Sequence, residues 1–173
     1  MDLYTGVLEV IDMRSFTSIW YWIVIAVVWS TTSHWILGVP YDMVTRAKKN
    51  EGQAQQDLEQ LITINCNRVL NIMNVAGAWV VGFSTFFITV LAVLGFWYDI
   101  EISQAVFLIV APLSLVAMQS VGAARRLRTT APTGIDLRRK LMRQRLFHQL
   151  IGMISIFVTA FWGMWHNLGA TVL

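Results

Sequence analysis

The sequence predicts an all-α polytopic membrane protein: a bundle of four transmembrane helices preceded by an amino-terminal amphipathic helix at the membrane surface. Three observations carry this reading. Of the 173 residues, 56% are hydrophobic and only 13% are charged, about half the charged share of a soluble domain. No Asp, Glu, Lys or Arg falls in residues 15–41, 69–98, 102–124 or 146–173. Each of these windows exceeds the ~20 apolar residues that cross a bilayer as a helix. Aromatic residues collect near the window ends, at Trp20, Tyr21, Trp22, Trp35, Trp97 and Tyr98, where amphipathic rings settle at the headgroup level. A soluble globular fold, a disordered chain and a secreted disulfide scaffold are excluded. The single cysteine, Cys66, leaves no internal disulfide and no dithiol redox pair. Residues 1–173 read as one transmembrane domain.

The elements follow in order. In residues 1–14, Asp2, Glu9 and Asp12 precede the first basic residue, Arg14, the reverse of a secretory signal. Leu3, Tyr4, Val7, Leu8 and Ile11 recur at helical spacing, which predicts an interfacial helix that does not span. Ser15 offers an N-cap to the first span, expected over about 16–37 and ended by Gly38 and Pro40. Residues 41–57 are polar. From Gln53 the pattern turns helical, with Leu58, Leu61 and Ile62 as an apolar stripe leading unbroken into the second span, about 69–97. Only Asp99 to Ser103 separate it from the third span, about 103–124, so the two form a tight hairpin. Pro112 lies in the middle of the third span, where a kink is expected. Pro132 and Gly134 mark a turn, Thr133 with Asp136 resembles a capping box, and the fourth span covers about 146–165.

Every Lys and Arg except Arg14 falls on one side of this arrangement, in the segments 41–68 and 125–145. The positive-inside rule then makes those loops cytoplasmic and puts both termini in the periplasm of a bacterial inner membrane. The 125–145 segment holds Arg125, Arg126, Arg128, Arg138, Arg139, Lys140, Arg143 and Arg145. Such a cluster sets topology and attracts anionic lipids, and it is also suited to docking a partner protein. No aromatic residues are interleaved with these charges, so nucleic acid is not an expected partner.

Two polar stripes interrupt the apolar helices. Asn67, Asn71, Asn74, Ala78, Thr85 and Thr89 keep to one face of the second span. They are suited either to bridging neighbouring helices or to lining a water-filled vestibule. On the fourth span, His148, Gly152, Ser155, Thr159, Gly163 and His166 share a face, and its small residues permit close helix approach. His34 and His148 are expected at similar depth on facing helices, which makes them the candidate axial ligands of a haem b. Three histidines in the whole chain are no enrichment, however, and a haem-free protein is the expectation. There is no His-Glu-x-x-His, P-loop or Gly-x-Ser-x-Gly.

The stretches Asp12–Phe16, Trp20–Trp22, Trp29–Trp35 and Gly38–Met43, together with Gly152–Trp165, resemble a family of small four-span inner-membrane proteins of alphaproteobacteria. Members of that family are labelled as a component of the SufBCD iron–sulfur assembly complex. The resemblance covers most of the chain and implies a bacterial inner-membrane protein. It supplies no catalytic residue.

The expected function is therefore non-catalytic: an accessory or structural subunit that associates with other membrane-protein subunits or with itself. The alternatives are a homo-oligomeric channel or carrier lined by Asn67, Asn71 and Asn74, and a mono-haem b electron-transfer protein using His34 and His148.

Overall fold

Apolar runs bounded by charge leave the backbone one economical solution, because a helix satisfies its own amides without water. The computed structural model describes residue 16, residues 18–50 and residues 52–171. Its helices are α1 (Ile19–His34), α2 (Tyr41–Lys49), α3 (Gln53–Ala92), α4 (Glu101–Thr130) and α5 (Gly134–Thr171). Two-residue strands β1 (Trp35–Ile36) and β2 (Val39–Pro40) join α1 to α2. The interfacial helix expected over residues 1–14 lies outside the described residues.

Among the described residues, three helices are long and apolar enough to cross a membrane: Gln53–Trp97, Glu101–Thr130 and Gly134–His166. The helix α1 has 16 residues and is about 24 Å long, less than the ~30 Å hydrocarbon core. It is shorter than the 16–37 span expected from sequence, for reasons visible at both ends. At its start, the indole of Trp22 donates to the Phe16 carbonyl (3.1 Å) and the Phe16 amide donates to Glu101 (3.0 Å). Ser18 occupies the cap position of α1, and Ser15, the cap expected from sequence, lies outside the described residues. At its end, residues 35–40 fold into an antiparallel hairpin that pairs Trp35 with Pro40 and Ile36 with Val39. Leu37 (φ 53) and Gly38 (φ 73) form its turn; two successive positive φ values are the signature of a type I′ hairpin. The Gly38 carbonyl then accepts from the Asn65 amide on α3 (3.1 Å).

The lead-in at Gln53 does run unbroken into the second long helix, which closes in a π-helical turn at Val93–Trp97. Asp99 (φ 55) then reverses the chain into α4, as the short connection requires. The segment 125–145 is mostly helix and not loop: Arg125–Thr130 end α4, residues 131–133 make the turn, and Gly134–Arg145 begin α5. The expected capping box is not the cap that forms. Asp136 pairs with Arg139 (3.8 Å), while the Gly134 amide is taken by Glu59 of α3 (2.8 Å).

Two cores result. At the basic end, Leu58, Ile62, Cys66 and Leu70 of α3 pack with Ile36, Leu37 and Val39 of the hairpin, Val44 and Ala47 of α2, Ala124 and Leu127 of α4, and Leu137 and Leu141 of α5. Among the apolar segments, Ile25 and Trp29 of α1 meet Val116 of α4, with Tyr21, Trp22, Ile109, Leu113 and Ile151 around them. In the most apolar 18-residue stretch of each of α3 and α4, only 11% is buried.

Candidate functional site

Four places inside the described apolar segments hold polar side chains; a backbone or packing need explains the first two, whereas the third keeps an unsatisfied atom and the fourth meets no partner among the described residues. The first is the α3–α4 turn. The side chain of Gln104 is 1% exposed. Its amide nitrogen donates to the Gly95 carbonyl and to the Asp99 carboxylate, both at 2.8 Å, and its oxygen accepts from the Trp162 indole at 2.9 Å. The π-helical turn alters the local bonding and leaves the Gly95 carbonyl to this side chain. Gly95 is needed there, because a Cβ would lie 3.0 Å from the Gln104 backbone nitrogen. The sequence reading missed Gln104. A signal existed: Gln104 and Gln119 are the only amide side chains in the charge-free window 102–124, and polar groups at membrane depth turn inward.

The second place is the small-residue stripe of α5, which lies against α1 and α4. Gly152 carries the Trp29 ring, where a Cβ would come within 2.7 Å; at Gly163 a Cβ would meet the Phe16 Cβ at 3.1 Å. Ser155 (7% exposed) and Thr159 (1%) are buried between them. Thr159 returns its hydroxyl to the Ser155 carbonyl (2.8 Å), whereas Ser155 donates across to the Leu108 carbonyl (3.3 Å). Leu108 is four residues before Pro112, whose missing N–H leaves that carbonyl without its helical partner. A hydroxyl from the neighbouring helix supplies the bond instead, so α4 continues through Pro112 as one element.

The third place is His148, which is 2% exposed. Its Nε2 lies 3.2 Å from the Gln144 amide nitrogen and 3.4 Å from the Ser120 hydroxyl. The Ser120 hydroxyl already donates to Val116. The Nδ1 atom is buried and has no hydrogen-bond partner among the described residues. His34 is exposed, with its ring edge-on to Trp35. The structure thus places the two histidines in different settings, one buried and one at the surface. His166, at the other end of the stripe, packs against Phe16. Among the described residues, no group of three His, Cys, Asp or Glu side chains could hold a metal.

The fourth place is the amide row of α3. Asn67, Asn71 and Asn74 are exposed, as are Ala78, Thr85 and Thr89. Among the described residues, none of the three amides meets a hydrogen-bond partner. Asn65, next to this row, is tied to Gly38. Among the described residues, the row therefore bridges no neighbouring helix.

The basic residues are distributed around the turn between α4 and α5. Arg125, Arg126 and Arg128 are exposed at the carboxyl end of α4, where the helix dipole favours cations. On α5, Arg138 donates to the Ala47 carbonyl, Lys140 donates to Thr130 (2.9 Å), and the Arg145 guanidinium lies 3.7 Å over the Tyr41 ring. Arg143 is exposed. The carboxyl of Glu59 is held below the usual range by the Gly134 N–H and by the Gln55 amide. Comparison with known proteins brings no match: no family model, no curated sequence and no solved structure aligns with the chain.

Proposed function

We propose that this protein is a non-catalytic integral inner-membrane protein that acts by association through the amide face of α3. The reading takes α1 as a short fourth span, the basic end as cytoplasmic and both termini as periplasmic. The observation that carries it is the outward exposure of Asn67, Asn71 and Asn74. Asn74 lies six residues, or about 9 Å, beyond Arg68, well inside the apolar run. A side-chain amide facing lipid has no partner there, and unsatisfied polar groups in hydrocarbon cost several kcal/mol. An amide both donates and accepts, so a facing helix with polar side chains satisfies it. That helix belongs to a second copy or to another subunit of a membrane complex, the accessory role implied by the resemblance to the inner-membrane family. The proposal assigns the chain no reaction of its own.

Native mass in mild detergent tests it. The wild-type chain is expected as an assembly larger than one copy, and Asn71→Leu with Asn74→Leu is expected to reduce it to a monomer with unchanged helix content. A wild-type monomer without co-purifying chains overturns the proposal. The rival reading, a pore or carrier lined by the same face, is favoured by the exposure of Thr85 and Thr89 further along it. It requires solute flux across liposomes that the same variants abolish.

A further inference from the structure

The seam between α4 and α5 opens at the basic end into a cleft of about 780 Å³. Its walls change character along the helix axes. Met118, Gly122 and Phe147 line the part next to the apolar spans, whereas Arg126, Lys140 and Arg143 line the part next to the turn. No acidic residue lines it. Among the described residues, no carboxylate pairs with any of the three cations. Lys140 is steadied by Thr130. Arg126 and Met118 are eight residues apart on α4, about 12 Å along the axis, so cationic rim and apolar wall lie at successive depths. A second apolar hollow of about 490 Å³, touching Leu115, Ile154 and Val158, continues along the same seam. Steps of three and four residues connect Gly122 to Leu115 by way of Met118, and Phe147 to Val158 by way of Ile151 and Ile154. Gln119 also lines the cleft, and its buried carbonyl oxygen has no hydrogen-bond partner.

We infer that this cleft is a binding site for one anionic glycerophospholipid, with its phosphate among Arg126, Lys140 and Arg143 and an acyl chain along the apolar seam past Gly122. The occupant is set by charge and depth together. A phosphodiester matches the three unpaired cations, and only an amphiphile fills the apolar wall that continues from them. Gln119, seven residues or about 10 Å deeper than Arg126, offers an amide at the level of the lipid's ester groups. A general attraction between basic residues and an anionic leaflet needs no cleft. This inference adds a defined, stoichiometric site. It rests on the membrane reading but not on the amide face of α3. Lipid variants on α4 and α5 and assembly variants on α3 therefore fail or succeed separately.

The test is native mass spectrometry of the full chain from micelles doped with palmitoyl-oleoyl phosphatidylglycerol or, in a parallel arm, the matching phosphatidylcholine. One phosphatidylglycerol per chain should be retained in preference to phosphatidylcholine. Lys140→Gln and Arg143→Gln should each weaken retention roughly fivefold. Gly122→Leu alters no charge, and its Cβ enters open space, so the fold is preserved. It should weaken retention about tenfold by occupying the acyl path. Lys49→Gln, on the other basic segment, should leave retention unchanged. Millimolar inorganic phosphate should not displace the lipid. Graded adducts insensitive to Gly122→Leu overturn the inference, since they report surface charge alone. So does equal retention of phosphatidylcholine, or displacement by free phosphate.

Discussion

Leu58 and Phe83 sit on the same helix, yet Leu58 is fully buried and Phe83 is 66% exposed. The contrast extends to the two ends of the molecule. Around Leu58, five elements converge on a core of aliphatic side chains; around Phe83 the helix presents Val80, Val81, Phe86 and Phe87 outward. The two stretches differ in composition: Gln55, Gln56, Asp57, Glu59 and Gln60 flank Leu58, whereas the stretch around Phe83 is largely apolar. The solvent that each composition fits explains the difference in burial. Beyond the apolar spans, burial removes Leu and Ile from water, which is the main force of folding. Within them, lipid is as apolar as another Leu, so helices meet where shape or hydrogen bonds reward contact. The sites of contact are accordingly Trp29 on Gly152, Ser155 on the Leu108 carbonyl and Trp162 on Gln104.

The largest expected effect tests this contrast directly. Leu58→Ala should cost ~2–5 kcal/mol, the range for deleting a buried Leu, whereas Phe83→Ala should stay within about 0.5 kcal/mol. Thermal melts in detergent measure both. Equal losses would mean that Phe83 is also buried in the working assembly, and the two regions would no longer differ.

Next in size is Gly152→Leu. Its Cβ would lie 2.7 Å from Trp29, and overpacking of that kind costs ~1–3 kcal/mol. Gly163→Leu should behave similarly against Phe16, while Ile156→Leu, at a position 37% exposed, should be nearly silent. A silent Gly152→Leu would show that α1 does not pack on α5 as described.

A double-mutant cycle sharpens the hydrogen-bond part of the comparison. Ser155→Ala should cost about 0.6–1.7 kcal/mol, the span measured for side-chain hydrogen bonds in membranes. In a Pro112→Ala background the same change should cost almost nothing, because the backbone N–H restored by that substitution reaches the Leu108 carbonyl. Additive costs in the cycle would break the link between Pro112 and Ser155.

The smallest expected effect lies at the basic end and depends on pH. The Glu59 carboxyl is held below the ordinary value of about 4.3. Its contribution is therefore present above that value and lost as pH falls through the lowered folded value. Being largely solvated, the group contributes modestly. Glu59→Gln should flatten the acid limb of a melting-temperature profile below about pH 4.3 and change little at neutral pH. An unchanged acid limb would remove Glu59 as the cap of α5.

Much of the framework was legible because it depends on local, one-dimensional properties. Charge-free windows placed the three long helices. Leu58 and Ile62 marked the apolar stripe of the α3 lead-in, and Asp99–Ser103 marked a turn too short for anything but a hairpin. The rest was hidden because it depends on contacts between distant residues. The end of α1 at His34 follows from Ile36 and Val39 pairing and from Leu37 and Gly38 turning left-handed, which the apolar continuity of 16–37 conceals. Glu59 outcompetes Thr133 and Asp136 for the α5 terminus from 75 residues away.

By itself, the sequence determined that this chain is helical and suited to a membrane, since backbone amides in hydrocarbon must bond within their own segment. It also determined which residues share each helix face, since a period of 3.6 is local. Only the tertiary structure decided which face turns inward. The stripe through Gly152 and Ser155 meets α1 and α4, while the row through Asn67, Asn71 and Asn74 faces out. Both stripes mix small or polar residues at the same spacing, so periodicity cannot rank them. Trp29 and the carbonyl freed by Pro112 supply partners to the first, and among the described residues no helix supplies any to the second.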